Sequence, residues 1–328
     1  MTQPILSVRD LKVHFPLRSK GLFSSSIPLK AVDGVSFDLF PRETLGIVGE
    51  SGCGKSTLGR AILHLLPPTS GKVVWLGEDL TLLSSEALRR RRQEMQIVFQ
   101  DPLASLDPRM TIGDIIAEPL RTFQPHLTRS QIQDRVMEIL PQVGLNPFMR
   151  NRYPHEFSGG QCQRIGIARA MILKPKLIIC DEPVSALDVS IRAQIVNLLQ
   201  DLQEKFGISL IFISHDLSIV RHICHRIMVL YLGRVMEIAP AAEIYDQPRH
   251  PYTKALISAV PIPDPRMERK KQRTLLKGDL PSPVAPPSGC VFRTRCPQAD
   301  AQCAAEVPLL ENTENDKHLV ACHYWRTT

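Results

Sequence analysis

The sequence lacks any apolar run close to the ~18–20 residues needed to span a bilayer. Its longest buried-looking stretches, KLIIC (176–180) and SLIFIS (209–214), are strand-sized. The N-terminus, MTQPILSVRD, lacks the basic-then-apolar pattern of a signal peptide. These absences predict a cytosolic chain that another protein must hold if it works at a membrane. A strong charge of either sign is also missing. Over 328 residues, 40 Lys and Arg stand against 33 Asp and Glu, a net of +7 that does not by itself argue for nucleic acid. No internal repeat is visible, and no long heptad insert interrupts the chain. Core-forming residues are plentiful: 43% of the chain is hydrophobic and 22% charged, which excludes disorder throughout and allows one large domain or two ordinary ones.

The positive excess is local. Residues 249–277 hold eight Lys and Arg against two Asp and Glu, and Arg89–Arg92 form a second cluster. Both read as a solvated face or linker, with contact to anionic lipid head groups or an acidic partner as the alternative. Four of the eight cysteines, Cys53, Cys162, Cys180 and Cys224, are scattered; Cys290, Cys296, Cys303 and Cys322 cluster near the C-terminus. In a cytosolic chain, clustered thiols suggest a metal rather than disulfides.

Leu11, Val13 and Phe15 alternate as on one strand, and Val35, Phe37 and Leu39 as on another, with a loop over 19–28 between them. TLGIV (44–48) enters a Gly-rich loop, followed by the helical pattern TLGRAILHLL (57–66) and a turn at PPTSG. Residues 102–157 lack long β-runs and read as a helical unit. Afterwards short strands and helices alternate, which implies a parallel sheet wrapped by helices, and RIMVLYLGRVMEIA (226–239) reads as a hairpin turning at Leu232 and Gly233. Beyond about residue 255 the composition shifts to Pro, basic residues and Cys.

GESGCGKS (49–56) fits G-x-x-x-x-G-K-[ST] between a strand and a helix, as the chemistry requires. The glycines let backbone N–H groups cradle phosphate oxygens, and the helix N-terminus adds positive potential. Lys55 is placed to reach the β- and γ-phosphates and Ser56 to ligate Mg²⁺. KLIICDE ends an apolar strand in two carboxylates: Asp181 suits Mg²⁺, and Glu182 suits polarisation of an attacking water. Cys53 reads as a small filler of the loop. Its position beside Lys55 and a helix N-terminus predicts a lowered thiol pKa and ready alkylation by N-ethylmaleimide. Cys162 and Cys180 read as structural.

With GESGCGKST, the segment FSGGQ (157–161) resembles the signature of ABC-type ATPases, with Phe157 in place of the common Leu. The other motifs fall in order: Gln100 in QIVFQDP matches the Q-loop glutamine, SALD (185–188) the D-loop with Asp188, and His215 the switch histidine. The resemblance implies an α/β fold with a P-loop (RecA-like) parallel core, an antiparallel β-subdomain, an inserted helical subdomain near 102–169 and a small Cys-rich C-terminal extension. It divides the chain into an ATPase domain, 1–254, and an extension, 255–328. It implies ATP bound by Gly49, Glu50, Ser51, Gly52, Cys53, Gly54, Lys55, Ser56 and Thr57, with Mg²⁺ served by Ser56, Gln100 and Asp181, and Glu182, His215 and Gln100 as catalytic groups. Two such domains meet head to tail, so Ser158, Gly159, Gly160 and Gln161 would touch ATP held by a partner. Phe15 matches the aromatic that stacks on adenine, a core position being the alternative. A satisfied core histidine is likewise the alternative for His215.

The closest resemblance is to ATP-binding subunits of dipeptide/oligopeptide importers, of the F-type. It is carried by VGESGCGKSTLGR, IVFQDP with SLDPR, RYPHEFSGGQ, DEPVSALDVS, RHPYTKAL and GDLPSPVAPPSGCVFRTRC. This implies a D-type partner ATPase, two membrane-spanning permease subunits, an extracytoplasmic solute-binding protein and a peripheral position on the cytoplasmic face of the membrane, with no nucleic-acid partner. Importers of nickel, glutathione or antimicrobial peptides, and a soluble ABC ATPase acting on nucleic acid, are the alternatives. The terminal cysteines read C-x5-C-x6-C-x18-C, without the tighter C-x2-4-C pairs usual for structural zinc. This region is similar to one that binds a [4Fe–4S] cluster through four cysteines, with zinc as the alternative and His323 as a bystander. The runs between these cysteines look too polar and too broken by Pro and Gly to bury a core of their own.

Overall fold

The computed structural model describes residues 3–17, 27–261, 264–271, 274, 276, 278–314 and 317–326. Most of the loop expected over 19–28 lies outside the described residues. Along the chain the strands are β1 (Leu6–Leu17), β2 (Ile27–Leu39), β3 (Thr44–Val48), β4 (Ser70–Trp75), β5 (Glu78–Asp79), β6 (Met95–Val98), β7 (Leu177–Asp181), β8 (Ser209–Ile213), β9 (Arg226–Tyr231), β10 (Arg234–Pro240), β11 (Glu311–Asn312) and β12 (Leu319–Val320). The α-helices are α1 (Lys55–Ile62), α2 (Ser85–Arg92), α3 (Ile112–Phe123), α4 (Arg129–Gln142), α5 (Gly159–Met171), α6 (Val189–Phe206), α7 (Leu217–Ile223), α8 (Ala241–Asp246), α9 (Pro251–Ala259), α10 (Pro265–Lys270) and α11 (Ala301–Ala305). Two compact units result. One comprises the described residues of Met1–Leu39, Leu45–Thr81 and Ser214–Thr328, the other Phe40–Thr44 and Leu82–Ile213. No helix among the described residues is long and apolar enough to cross a membrane.

In the first unit, an antiparallel sheet has the order β2-β1-β4-β5. Leu6, Val8, Leu11 and Val13 of β1 are almost fully buried, as are Val35, Phe37 and Leu39 on β2. The pairing shifts register between Val8 and Leu11, where Asp10 has φ 45°. This bulge keeps both pairs of β1 residues on the inner face despite their odd spacing. Phe15 lies opposite Leu29 and is 36% exposed, so it is not the core residue that its alignment with Leu11 and Val13 allowed.

The same unit contains the parallel pair β3–β9, from Leu45↔Arg226 to Val48↔Val229, and the hairpin β9–β10 turning at Leu232 and Gly233 as expected. All five residues of β3 are buried, the continuous apolar pattern of a strand covered on both faces. Helix α1 stops at Ile62, short of the expected 66. His64 has φ 52°, and Pro67 and Pro68 follow, disfavouring helical conformation before them.

The cysteine-bearing C-terminal segment packs on this hairpin. Strand β12 pairs with β10, Ile238 facing Leu319. Phe292, Val291, Val320 and Trp325 are buried. The segment thus buries more apolar surface than its broken composition suggested, by docking on β9–β10. Glu237 of β10, fully buried, accepts bonds from the backbone N–H of Arg249 (2.7 Å) and of His250 (3.0 Å) and lies 2.7 Å from His318 Nε2, so its carboxylate joins three parts of the chain.

The second unit has three parallel strands, β6, β7 and β8, in register from Met95↔Leu177 and Leu177↔Ser209. Its helices begin at well-made caps: Thr111 Oγ1 accepts from the Asp114 N–H, and Thr128 and Gln131 form a capping box at α4. Ile112, Ile115, Ile116 and Leu120 bury one stripe of α3 at the three- and four-residue spacing of an amphipathic helix.

Candidate active site

In the first unit, β3 delivers the chain into the Gly-rich loop and α1 begins at Lys55. The loop has no room for larger residues at its glycines. A Cβ on Gly49 would lie 2.2 Å from the Leu230 carbonyl oxygen, and one on Gly54, at φ 105°, 2.1 Å from that of Ala31. Lys55 is 4% exposed and folds back under the loop, its Nζ donating to the carbonyls of Gly49 (2.8 Å) and Glu50 (3.0 Å). Ser51 and Gly52 are exposed, and Ser56 and Thr57 are half-buried in the first turn of α1. The unit thus presents a run of backbone amides at a helix N-terminus with a cation behind it, a cradle for phosphate oxygens.

Cys53 departs from expectation. It is 1% exposed, and its thiol sits where a Cβ on Gly49 would come within 2.8 Å of it. Burial pushes its pKa up, outweighing the lowering by Lys55. The thiol fills the loop and is not the activated nucleophile predicted from the neighbouring helix N-terminus. Cys162 and Cys180 are buried as structural thiols, Cys180 with its pKa pushed up to about 12 by burial and Asp181. His215 is exposed and so is not a core histidine. It stands between Ser214, whose N–H donates to Ile47 O at 3.1 Å, and Asp216, which caps α7.

In the second unit, β7 ends at Asp181, which is 1% exposed. Glu182 follows with φ 46° and donates its N–H to Ile213 O at 3.0 Å, held in a left-handed conformation unusual for a non-glycine residue. Such outliers concentrate where function fixes the backbone. Gln100, exposed just beyond β6, donates from Nε2 to Glu182 Oε2 at 3.1 Å. The structure therefore brings these two sequence-identified residues together. Ser158, Gly159, Gly160 and Gln161 open α5, where Ser158 Oγ accepts from the Gln161 N–H (3.3 Å) and Gln161 Oε1 accepts from the Ser158 N–H (3.0 Å). The helix start thereby fixes the shape of the segment. Asp188 is exposed at the N-cap of α6 without a side-chain cap bond.

Sequence reasoning missed two residues of the phosphate loop's surroundings. The Tyr252 hydroxyl accepts from the Glu50 N–H at 3.0 Å, and Arg295 makes a two-pronged ion pair with the Glu50 carboxylate at 2.7 and 3.1 Å. Both lie in segments noted for their resemblance, RHPYTKAL and RTRC, yet nothing in their spacing places them at the loop.

The four terminal cysteines line one cavity, with His250 and His323 among its other walls. Burial chiefly, with the other three thiols adding to it, pushes the Cys290 pKa up to about 11. Burial also raises Cys296 and Cys322. Among the described residues, no group of three or more His, Cys, Asp or Glu side chains is drawn together closely enough to hold a metal ion. The donor set is that of a thiolate-held centre, but the thiols are not at ligating positions.

Residues 32–185 match the ABC transporter family and residues 236–303 the C-terminal region of oligopeptide/dipeptide transporters. The chain is 60% identical over 320 residues to the oligopeptide transport ATP-binding protein OppF of Salmonella typhimurium, covering 97% of this chain and 95% of that protein. It is 54% identical over 325 residues to the oligopeptide transport ATP-binding protein AppF of Bacillus subtilis, covering 98% of each. It also resembles a dimeric ATP-binding cassette in a post-hydrolysis state bound to ADP and Pi, with a TM-score of 0.64 and 27% identity over 72% of this chain and 98% of that one. A cassette from Clostridium perfringens that is part of an ABC transporter complex is similar at TM-score 0.64 and 27% identity, over 74% of this chain and 91% of its own.

Proposed function

The chain belongs to the ABC transporter family, among the oligopeptide transport ATP-binding proteins, and from that premise we propose that it hydrolyses ATP to drive oligopeptide import. The observation that carries this reading is the loop at 49–56, whose amides and Lys55 form a cradle at the start of α1. In the proposed mechanism, the loop amides and Lys55 hold the β- and γ-phosphates, and Phe15, exposed near the end of β1, stacks on adenine. Ser56, Gln100 and Asp181 offer the hard oxygen donors that suit Mg²⁺, which when bound neutralises charge on the phosphate oxygens. Glu182 orients and polarises the attacking water, with Gln100 hydrogen-bonded to it, and His215 serves the γ-phosphate. Ser158 to Gln161 face the nucleotide of a second ATPase subunit of the D-type, with Asp188 at that junction.

We read residues 1–254 as the ATPase domain, with its helical subdomain near 102–169, and 255–328 as an extension that packs within the first unit. Two permease subunits and a solute-binding protein complete the transporter, and the chain sits peripherally on the cytoplasmic face of the membrane. The reading of a [4Fe–4S] centre at Cys290, Cys296, Cys303 and Cys322 rests on the chemistry of four thiols lining one cavity, not on their present positions, which would not hold a metal.

Glu182→Gln tests the assignment of the base. ATP binding is expected to persist, because other groups hold the phosphates, while turnover falls by ~10²–10⁴-fold. Steady-state phosphate release by the assembled complex, with the partner's own site silenced, reads this directly. Near-normal hydrolysis there would show the base to be misassigned.

A further inference from the structure

Glu50 is the second residue of the phosphate loop, and three groups converge on it. Its carbonyl accepts from Lys55 Nζ at 3.0 Å, its N–H donates to the Tyr252 hydroxyl at 3.0 Å, and its carboxylate takes both prongs of Arg295. Tyr252 and Arg295 come from beyond residue 250, a stretch without phosphate motifs. Both are firmly held. Tyr252 is fully buried and packs against Tyr231 (ring centres 4.8 Å apart) and Phe292 (5.3 Å). The Arg295 side chain is 9% exposed, lies 6.0 Å from the Tyr231 ring, and follows Phe292 by one turn, its N–H donating to the Phe292 carbonyl.

We propose that the C-terminal segment clamps the phosphate loop through Arg295 and Tyr252, and that these are positioning residues for nucleotide binding. The inference rests on the reading of 49–56 as the nucleotide loop. A loop rich in glycine must lose conformational freedom when it closes on phosphate, and a contact that fixes it beforehand removes that cost from binding. The clamp acts on the residue whose carbonyl orients Lys55, so it also sets the cation behind the phosphates. A two-pronged, charge-assisted contact is the strong kind of hydrogen bond; here the guanidinium is 9% and the carboxylate 29% exposed, and loss of the pair is expected to weaken nucleotide affinity about tenfold. The clamp contributes nothing to the water or its base, so turnover at saturating ATP is expected to change far less than KM.

The test is a titration of the full chain with a fluorescent ATP analogue, using Arg295→Gln, Glu50→Gln, the double variant and Tyr252→Phe. The clamp predicts about tenfold weaker binding for each of the first two, and no further loss in the double variant, because the two partners act as a unit. Arg295→Lys, which keeps the charge but loses the second prong, is expected to recover part of the affinity. Thermal unfolding without nucleotide separates positioning from folding: Glu50→Gln keeps one acceptor for Arg295, and its loss of affinity is expected to exceed what its fall in melting temperature accounts for. Wild-type affinity in the single variants, or strictly additive losses, would overturn the clamp. So would weakening that merely tracks a lowered melting temperature. A wild-type chain that binds no nucleotide would overturn the nucleotide reading and the clamp with it; wild-type binding beside unaffected variants would overturn the clamp alone.

Discussion

Two opposing effects meet at Cys53, and their relative size decides its chemistry. A helix N-terminus and Lys55 favour the thiolate, but the thiol is 1% exposed beneath Gly49, and burial raises its pKa instead. Only the thiolate attacks an alkylating reagent. Cys53 is therefore expected to resist N-ethylmaleimide at neutral pH, and mass spectrometry of short-exposure digests should find it unmodified in the folded chain and labelled only after denaturation. Rapid labelling in the folded chain, blocked by ATP, would contradict this. The sequence showed that a thiol lay inside the loop, but not that its side chain turns inward. Its sulfur packs against Gly49, and Gly49 in turn lies against the Leu230 carbonyl, a neighbour that it has only in the fold. The same holds for Glu50. GESGCGKS was legible as a phosphate loop because its function needs those residue types at that spacing. Arg295 lies 245 positions away from Glu50, and no periodicity or motif rule links them.

At the scale of elements, the strands β3, β7 and β8 were readable because fully buried parallel strands leave unbroken apolar runs, and the hairpin β9–β10 because its turn was marked by Leu232 and Gly233. The C-terminal segment was not readable in this way. Its short strands β11 and β12 and helix α11 have no periodicity of their own, and they are ordered by docking Phe292 and Val320 and by the buried Glu237–His318 contact. The four cysteines share one cavity without lying at ligating positions, so a bound centre would draw them inward and add cross-links to the segment. Chain purified without oxygen is expected to carry about four irons and four sulfides, the content of one such cluster, with the broad visible absorbance lost on Cys303→Ser. One zinc per chain and no sulfide would contradict the iron–sulfur reading.

The whole molecule groups its residues differently from its sequence modules. The segments after residue 254 share a compact unit with the antiparallel sheet and the phosphate loop, whereas Gln100, Asp181, Glu182 and the FSGGQ segment share the other. Recognition elements for phosphate and the proposed catalytic carboxylate thus fall in different compact units of one chain. The central claim is that this chain converts ATP hydrolysis into peptide import, and it concerns the full transporter. The most direct measurement is ATP-dependent uptake of a labelled oligopeptide, followed together with phosphate release, into membrane vesicles holding the permeases and partner ATPase. Peptide-loaded binding protein is supplied on the face opposite the ATPases. With wild-type chain, peptide-loaded binding protein is expected to raise both rates; with Glu182→Gln, uptake is expected to fall to background. Full uptake with Glu182→Gln, or hydrolysis by wild type that ignores peptide while no uptake occurs, would contradict the account.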